Sequence, residues 1–243
     1  MINKGIILAA GLGSRLKDRT KHRPKAMIEV KGQPLIDYAI SFLTPSVDEI
    51  IVVGGYEFAQ LSEHIGAMGR SDITLVENPD FREGSILTVE KALPHLDGSF
   101  LLMNVDHIYP SHFIHTISSG LSGITGICDF DRELISDDMK VKLNSDRRIT
   151  DIDKQLTDYD GGYIGMTSCD SASVPAYRAM VEKIIGERGG SVNVEYVLRR
   201  FAREGSYPNS LDLSGSIWLE VDDQGDLEKA IATLNANPTL KKP

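Results

Sequence analysis

The segment Leu8-Ala9-Ala10-Gly11-Leu12-Gly13-Ser14-Arg15 closes an apolar run that begins at Gly5. A glycine loop at the carboxyl end of a first parallel strand is where open α/β sheets hold ligands. Glycines let backbone N–H groups approach phosphate oxygens, and an arginine adds a planar fork of donors suited to phosphate. Read alone, the loop is equally well an ordinary strand-to-helix turn. Two better known phosphate loops do not fit it. A dinucleotide fingerprint needs a glycine where Leu16 stands, which disfavours a dinucleotide-dependent oxidoreductase, and the Gly-Lys-Ser/Thr end of a P-loop is absent.

Behind the loop, Arg15, Lys17, Arg19, Lys21, Arg23 and Lys25 form a basic island in a chain whose formal net charge is -9. Lys25 follows Pro24, so its point charge sits on restricted backbone. A solvated loop is the plainer reading of such a run, but a triphosphate site needs a local island of this kind. Two strand ends then carry carboxylates: Asn104-Val105-Asp106-His107, and Trp218-Leu219-Glu220-Val221-Asp222. Carboxylates brought together from separate strands suit a hard cation. Either aspartate alone is as readily a helix N-cap, Asp222 above all.

His107 is a candidate ligand contact or simply a hydrogen-bonded neighbour of Asp106. The other histidines, His22, His64, His95, His112 and His115, show no metal-ligand spacing. Lys154 could reach an acceptor phosphate or lie in solvent. Cys128 and Cys169 fall in expected strands and read as core thiols.

These residues need a scaffold. Strands are expected at Gly5 to Ala10, Glu49 to Val53, Ile73 to Glu77 and Ser99 to Asn104. Helices are expected at Pro34 to Leu43, Glu57 to Ala67, Ser85 to Leu93 and Ser111 to Ser119, with Ser85 near an N-cap. That alternation predicts an α/β fold, a Rossmann-like mixed and mostly parallel sheet with helices on both faces. After Gly123 the pattern changes. Lys140 to Leu143 and Arg148 to Asp153 flank Asn144-Ser145-Asp146 as an antiparallel hairpin. Tyr159 to Met166, Tyr207 to Leu213 and Ile217 to Val221 read as strands, and Val174 to Ile185, Val194 to Glu204 and Asp226 to Leu234 as helices. One domain over 1–243 is expected, with a nucleotide-binding half at about 1–122 and an acceptor-binding half at about 123–243.

The 243 residues, 41% hydrophobic and 25% charged, suit one globular domain. The acidic balance argues against nucleic acid as a partner. Neither a signal peptide nor a membrane span is evident, so the expectation is a soluble cytoplasmic protein. The oligomeric state is open, a homodimer included.

Taken together, Ala9 to Leu16 and Pro24-Lys25 resemble the signature of the sugar-phosphate nucleotidyltransferase superfamily, and the likeness runs along almost the whole chain. Asp106 and Asp222 match that family's metal-binding aspartates. Asp106-His107-Ile108-Tyr109, Phe113-Ile114, the Lys154 region, Asp160-Gly161-Gly162-Tyr163 and Trp218 to Asp222 are similar to cytidylyltransferases for inositol-1-phosphate. The Gly11 to Asp18 stretch is equally like the phosphocholine and phosphonate enzymes. The loop between Leu16 and Pro24 is longer than in the inositol enzymes, and no membrane-embedded phosphatidyltransferase segment of the kind often fused to them is seen.

The resemblance implies that CMP passes from CTP to a small phosphorylated alcohol or phosphonate with release of pyrophosphate. It places the base near Leu8, Ala10 and Gly11, with Gly13, Ser14, Asn78, Gly84 and Ser85 completing the nucleotide site. It gives a magnesium ion to Asp106 and Asp222, the departing phosphates to Arg15, the α-phosphate to Lys25, and the acceptor to His107, Lys154, Asp160, Gly161 and Glu195. The long basic loop would close over the triphosphate. The alternatives are a sugar-1-phosphate enzyme using UTP, GTP or dTTP, and a silent nucleotide-binding regulator, which would have no need of both carboxylates.

Overall fold

The computed structural model describes residues 2–237. Strand β1 (Ile2–Ala9) is buried from Gly5 onward. It lies between β2 (Val47–Gly54) and β4 (Phe100–Asn104), and β3 (Ile73–Glu77) adds outside β2. All three pairings are parallel, and the spatial order is β3-β2-β1-β4. Alternate residues of β1 supply both faces. Ile7 and Ala9 join a core with α1 (Leu35–Leu43) and α2 (Phe58–Ala67), while Ile6 and Leu8 join a second core with α3 (Ser85–Ala92). Burial on both faces is why these strands read as unbroken apolar runs.

Helix α4 (His112–Ser119) leads to β5 (Ile124–Asp129), the β6 (Lys140–Leu143) and β7 (Ile149–Asp153) hairpin, and β8 (Gly161–Cys169). Strand β8 lies antiparallel to β4, β5 and β6, and carries the sheet from the first half of the chain into the second. The hairpin turns where expected, because the Asn144 side-chain oxygen accepts from the backbone N–H groups of Asp146 and Arg148 at 3.0 and 2.9 Å. Helices α5 (Val174–Arg188) and α6 (Tyr196–Arg203), strand β9 (Asn209–Asp212) parallel to β5, and helix α7 (Gln224–Ala236) complete the fold.

Two caps and one late strand differ from the sequence reading for physical reasons. Gly84, not Ser85, is the residue before α3, and the Ser85 hydroxyl accepts from the Val194 N–H at 2.8 Å instead of capping. Asp223, not Asp222, caps α7, in a reciprocal capping box with Asp226. The late strand at 217–221 contracts to Leu219–Glu220, antiparallel to His107–Ile108. Both expected core thiols are buried, and burial pushes the Cys169 thiol up to about 12. Among the described residues no helix is long and apolar enough to cross a membrane.

Candidate active site

Strand order reverses between β1 and β4, so the chain diverges to opposite sides beyond their carboxyl ends and leaves a crevice there. A cleft of about 380 Å³ occupies this point. Ala10 and Gly11 form one lip and Asn104 to His107 the floor. Gly13 is held at φ 63°, a left-handed conformation, and a Cβ there would meet Thr20 at 2.9 Å and Lys25 at 3.1 Å. Glycine is therefore required at 13 on two counts. Gly11 has open space where a side chain would be.

The short ribbon of His107–Ile108 against Leu219–Glu220 brings the two distant carboxylates to the same place. The Val221 N–H donates to the Asp106 carbonyl at 2.9 Å, fixing the register beside the cleft. Because Asp223 does the capping, the Asp222 side chain is left for the crevice. Both aspartates converge on one ammonium: Lys25 Nζ donates to Asp106 Oδ2 and to Asp222 Oδ1. The other oxygens are also engaged, Asp106 Oδ1 with His107 Nδ1 at 2.6 Å and Asp222 Oδ2 with Arg15 at 3.1 Å. Burial opposes ionisation of Asp106, but Lys25 and His107 overcome it and hold the carboxyl far below its usual range. Burial equally disfavours charge on Lys25, and the two aspartates overcome that, raising the ammonium.

His107 is buried and packs against Tyr109 and Trp218, each with ring centroids 5.6 Å away, in a three-ring cluster. Burial alone would lower it, yet Glu220 and Asp106 raise its pKa. Trp218 is held in turn by its N–H to Asp129 Oδ2 at 2.7 Å. Lys154 and Glu195 also line the cleft, and burial pushes the Glu195 carboxyl up. Glu195 is positioned by α3: Gly84 packs so closely on residues 190–192 that a Cβ would lie 2.3 Å from the Gly190 carbonyl oxygen, and Val192 O accepts from the Ile86 N–H at 3.1 Å.

Of the residues singled out in the sequence, Leu8, Ala10, Gly11, Arg15, Lys25, Ser85, Asp106, His107, Lys154, Glu195 and Asp222 line the cleft. Others do not. Asn78 is fully buried, its amide donating to Thr88 at 3.1 Å and its oxygen accepting from the Asp80 N–H, so it braces the wall from behind. Gly13, Ser14 and Gly84 shape the loops without facing the cleft. The Asp160 carboxylate is spent on the Leu143 N–H at 2.7 Å and on Lys142, and Gly161 packs against Phe130. The basic island also contracts. Arg19 bonds Gln224 and Arg23 pairs with Glu29, while only Arg15 and Lys25 reach the cleft.

Several lining residues were not foreseen. Glu220 is one, although its spacing of two from Trp218 and from Asp222, both already singled out and both on the lining, was a usable signal. Thr88 and Asp137 had none, because only the tertiary fold brings their segments here, while Tyr163 was quoted only as part of the Asp160 to Tyr163 resemblance and given no role.

The fold and cleft define a nucleotidyltransferase-type Rossmann-like architecture. Residues 5–123, which carry the glycine loop and Asp106, match the model of the MobA-like NTP transferase domain family. The chain is 29% identical over 226 residues to a bifunctional IPC transferase and DIPP synthase of Rubrobacter xylanophilus, covering 91% of this chain and 49% of that protein. It thus spans about half the length of that relative. A choline-phosphate cytidylyltransferase of Streptococcus pneumoniae is 46% identical over 67 residues, 26% of this chain and 29% of that protein. In structure, the inositol-1-phosphate CTP transferase from T. maritima superposes with a TM-score of 0.81 at 20% identity, covering 97% of each chain, a likeness of fold.

Proposed function

We propose that the protein transfers CMP from CTP to a small phosphorylated alcohol or phosphonate, releasing pyrophosphate. The observation that carries this is the convergence of Asp106 and Asp222 on Lys25, beside the glycine loop at the sheet's switch point. A dedicated binding module has no use for two partly buried carboxylates at a triphosphate's place. The likeness to a choline-phosphate cytidylyltransferase supports CTP as donor and a phosphorylated small alcohol as acceptor, and we place the acceptor in the inositol-1-phosphate, phosphocholine or 2-aminoethylphosphonate class. A donor of this kind is consistent with a cytoplasmic protein.

A magnesium ion fits the donor set. Both carboxylates are hard oxygen ligands already gathered around a single cation. Among the described residues no cluster of three or more potential ligands forms a closed cage. Magnesium keeps waters and takes substrate phosphate oxygens alongside one or two carboxylates. Asp106 and Asp222 would hold it, and it would supply charge neutralisation at the α-phosphate.

The chain's own residues do the rest. An oxygen of the acceptor phosphate attacks the α-phosphorus in line, the new P–O bond forms, and the bond to the β-phosphate breaks with its electron pair leaving on pyrophosphate. A phosphate monoester has a second pKa of about 6, so the nucleophile is already largely ionised and needs no base. Lys25 neutralises charge growing at the α-phosphate, Arg15 holds the departing phosphates, and Lys154 holds the acceptor phosphate. Glu195 and His107 face the acceptor's remaining atoms.

The test is pyrophosphate release on mixing the protein and magnesium with each triphosphate and a panel of inositol-1-phosphate, phosphocholine, 2-aminoethylphosphonate and hexose-1-phosphates. CTP with one of the first three should be turned over fastest. A preference for UTP, GTP or dTTP with a hexose-1-phosphate would replace this reading with nucleotide-sugar synthesis.

A further inference from the structure

Asp137 lies on the loop between β5 and β6 and has been given no role above. Its carboxylate nonetheless takes both outer cations of the cleft. Asp137 Oδ1 accepts from Lys154 Nζ at 2.6 Å, and Oδ2 accepts from Arg15. With these pairs the cleft becomes one chain of alternating charge: Asp106, Lys25, Asp222, Arg15, Asp137, Lys154. The two cations proposed to hold phosphate are tied together by a carboxylate standing between them.

The turn that presents Asp137 is built for the purpose. Lys140 is buried, and its ammonium donates to the carbonyl oxygens of Ile135 at 2.9 Å and Asp138 at 3.2 Å, and to that of Lys154 at 2.9 Å. The Ile135 N–H closes the turn on Asp138 Oδ2 at 2.7 Å. One buried charge therefore fixes both the turn bearing Asp137 and the backbone of its partner Lys154. Asp137 itself is half exposed, so its presence in the cleft owes little to apolar packing. The hydrogen bond from Lys154, joined by that from Arg15, holds its carboxyl below the usual range.

From this geometry we infer that Asp137 is an internal competitor for substrate phosphate: a latch that bridges Arg15 to Lys154 in the cleft and is displaced when triphosphate and acceptor bind. The inference rests on the phosphate roles proposed for Arg15 and Lys154. Anionic ligands must outbid a carboxylate for cations already paired, so the latch weakens phosphate capture. It also keeps two like charges from facing each other unscreened before substrate arrives.

Calorimetric titration with inorganic triphosphate separates the two claims. Asp137→Asn should bind it about two- to ten-fold more tightly than wild type, the range expected when partly exposed ion pairs cease to compete. Asp137→Glu, which restores the charge, should return the affinity towards wild type, an outcome that loss of a merely structural contact does not predict. Arg15→Ala should weaken binding whatever the latch does. Unchanged or weaker binding by Asp137→Asn, with Arg15→Ala weakened as expected, would overturn the latch and leave the phosphate site standing. Absence of binding to both wild type and Asp137→Asn would overturn the phosphate site, and the latch with it.

Discussion

Lys25 sits where two carboxylates meet, and its removal should be felt in chemistry more than in substrate capture. For Lys25→Ala the expected outcome is a fall in kcat on the order of 10² to 10³, the cost of losing a placed charge at a developing anion, with KM within a few-fold. Steady-state kinetics with the preferred substrates checks it, and an unchanged kcat would remove Lys25 from the mechanism. At this scale the sequence was informative where residue type and spacing carry meaning by themselves. Arg15, Lys25, Asp106 and Asp222 stood out as a set. Which of two neighbouring aspartates capped the last helix was not decidable from spacing, since Asp222 and Asp223 both precede it. The capping box with Asp226 settles this in favour of Asp223 and leaves Asp222 for the cleft. The basic run from Arg15 to Lys25 misled in the other direction. A short 3-10 turn over Ser14–Arg19 points Lys17 and Arg19 outward, which composition cannot reveal.

Elements place these residues, and two of them invite tests. Helix α3 docks on the 190–195 loop through Gly84, whose backbone is extended and which any residue could adopt were the space not filled by the Gly190 and Val192 backbone. Gly84→Ala should therefore displace the loop carrying Glu195. We expect an acceptor KM raised several-fold against a smaller change for the nucleotide, together with a stability loss of about 1–3 kcal/mol from overpacking. Equal effects on both substrates would show that the loop serves the nucleotide as well. The second element test concerns β1 and β2, where Lys4 and Glu49 face each other in register and pair. The Lys4 hydrogen bond, helped by Thr74, lowers the Glu49 pKa. A depressed carboxylate contributes stability that is present above its ordinary unfolded pKa and is lost as pH falls through the lower folded value. Glu49→Gln should thus lower stability by about 0.5–1 kcal/mol at pH 7, with the deficit shrinking as urea melts are taken to progressively more acid pH. A deficit that stays constant into acid would mean that packing, not charge, sets it. The parallel strands and most helices were readable because burial on both faces leaves apolar runs of strand length. Ribbons of two residues, such as 107–108 with 219–220, carry no periodicity and appear only once the sheet is folded.

At the scale of the molecule, one sheet joins a parallel half that carries the glycine loop to a half reached through antiparallel β8, and the cleft opens along that seam. The order β3-β2-β1-β4 dictates where a ligand must lie, and the charged set occupies that place. What sequence could not supply was the long-range company of the cleft: Asp137 from the β5–β6 loop and Thr88 from α3 arrive there only through tertiary packing. It also named Asp160 and Gly161 to the acceptor wall, where the fold instead uses them to seat the hairpin and Phe130.

Transfer of the α-phosphorus from CTP to a phosphorylated acceptor can be followed directly in a single-turnover experiment with α-labelled CTP, magnesium and the acceptor that supports fastest pyrophosphate release. The label should appear in a CDP-linked acceptor in one-to-one proportion with pyrophosphate, and only when the acceptor is present. Label recovered as CMP at the same rate with or without acceptor would contradict transfer and make the cleft a site of hydrolysis.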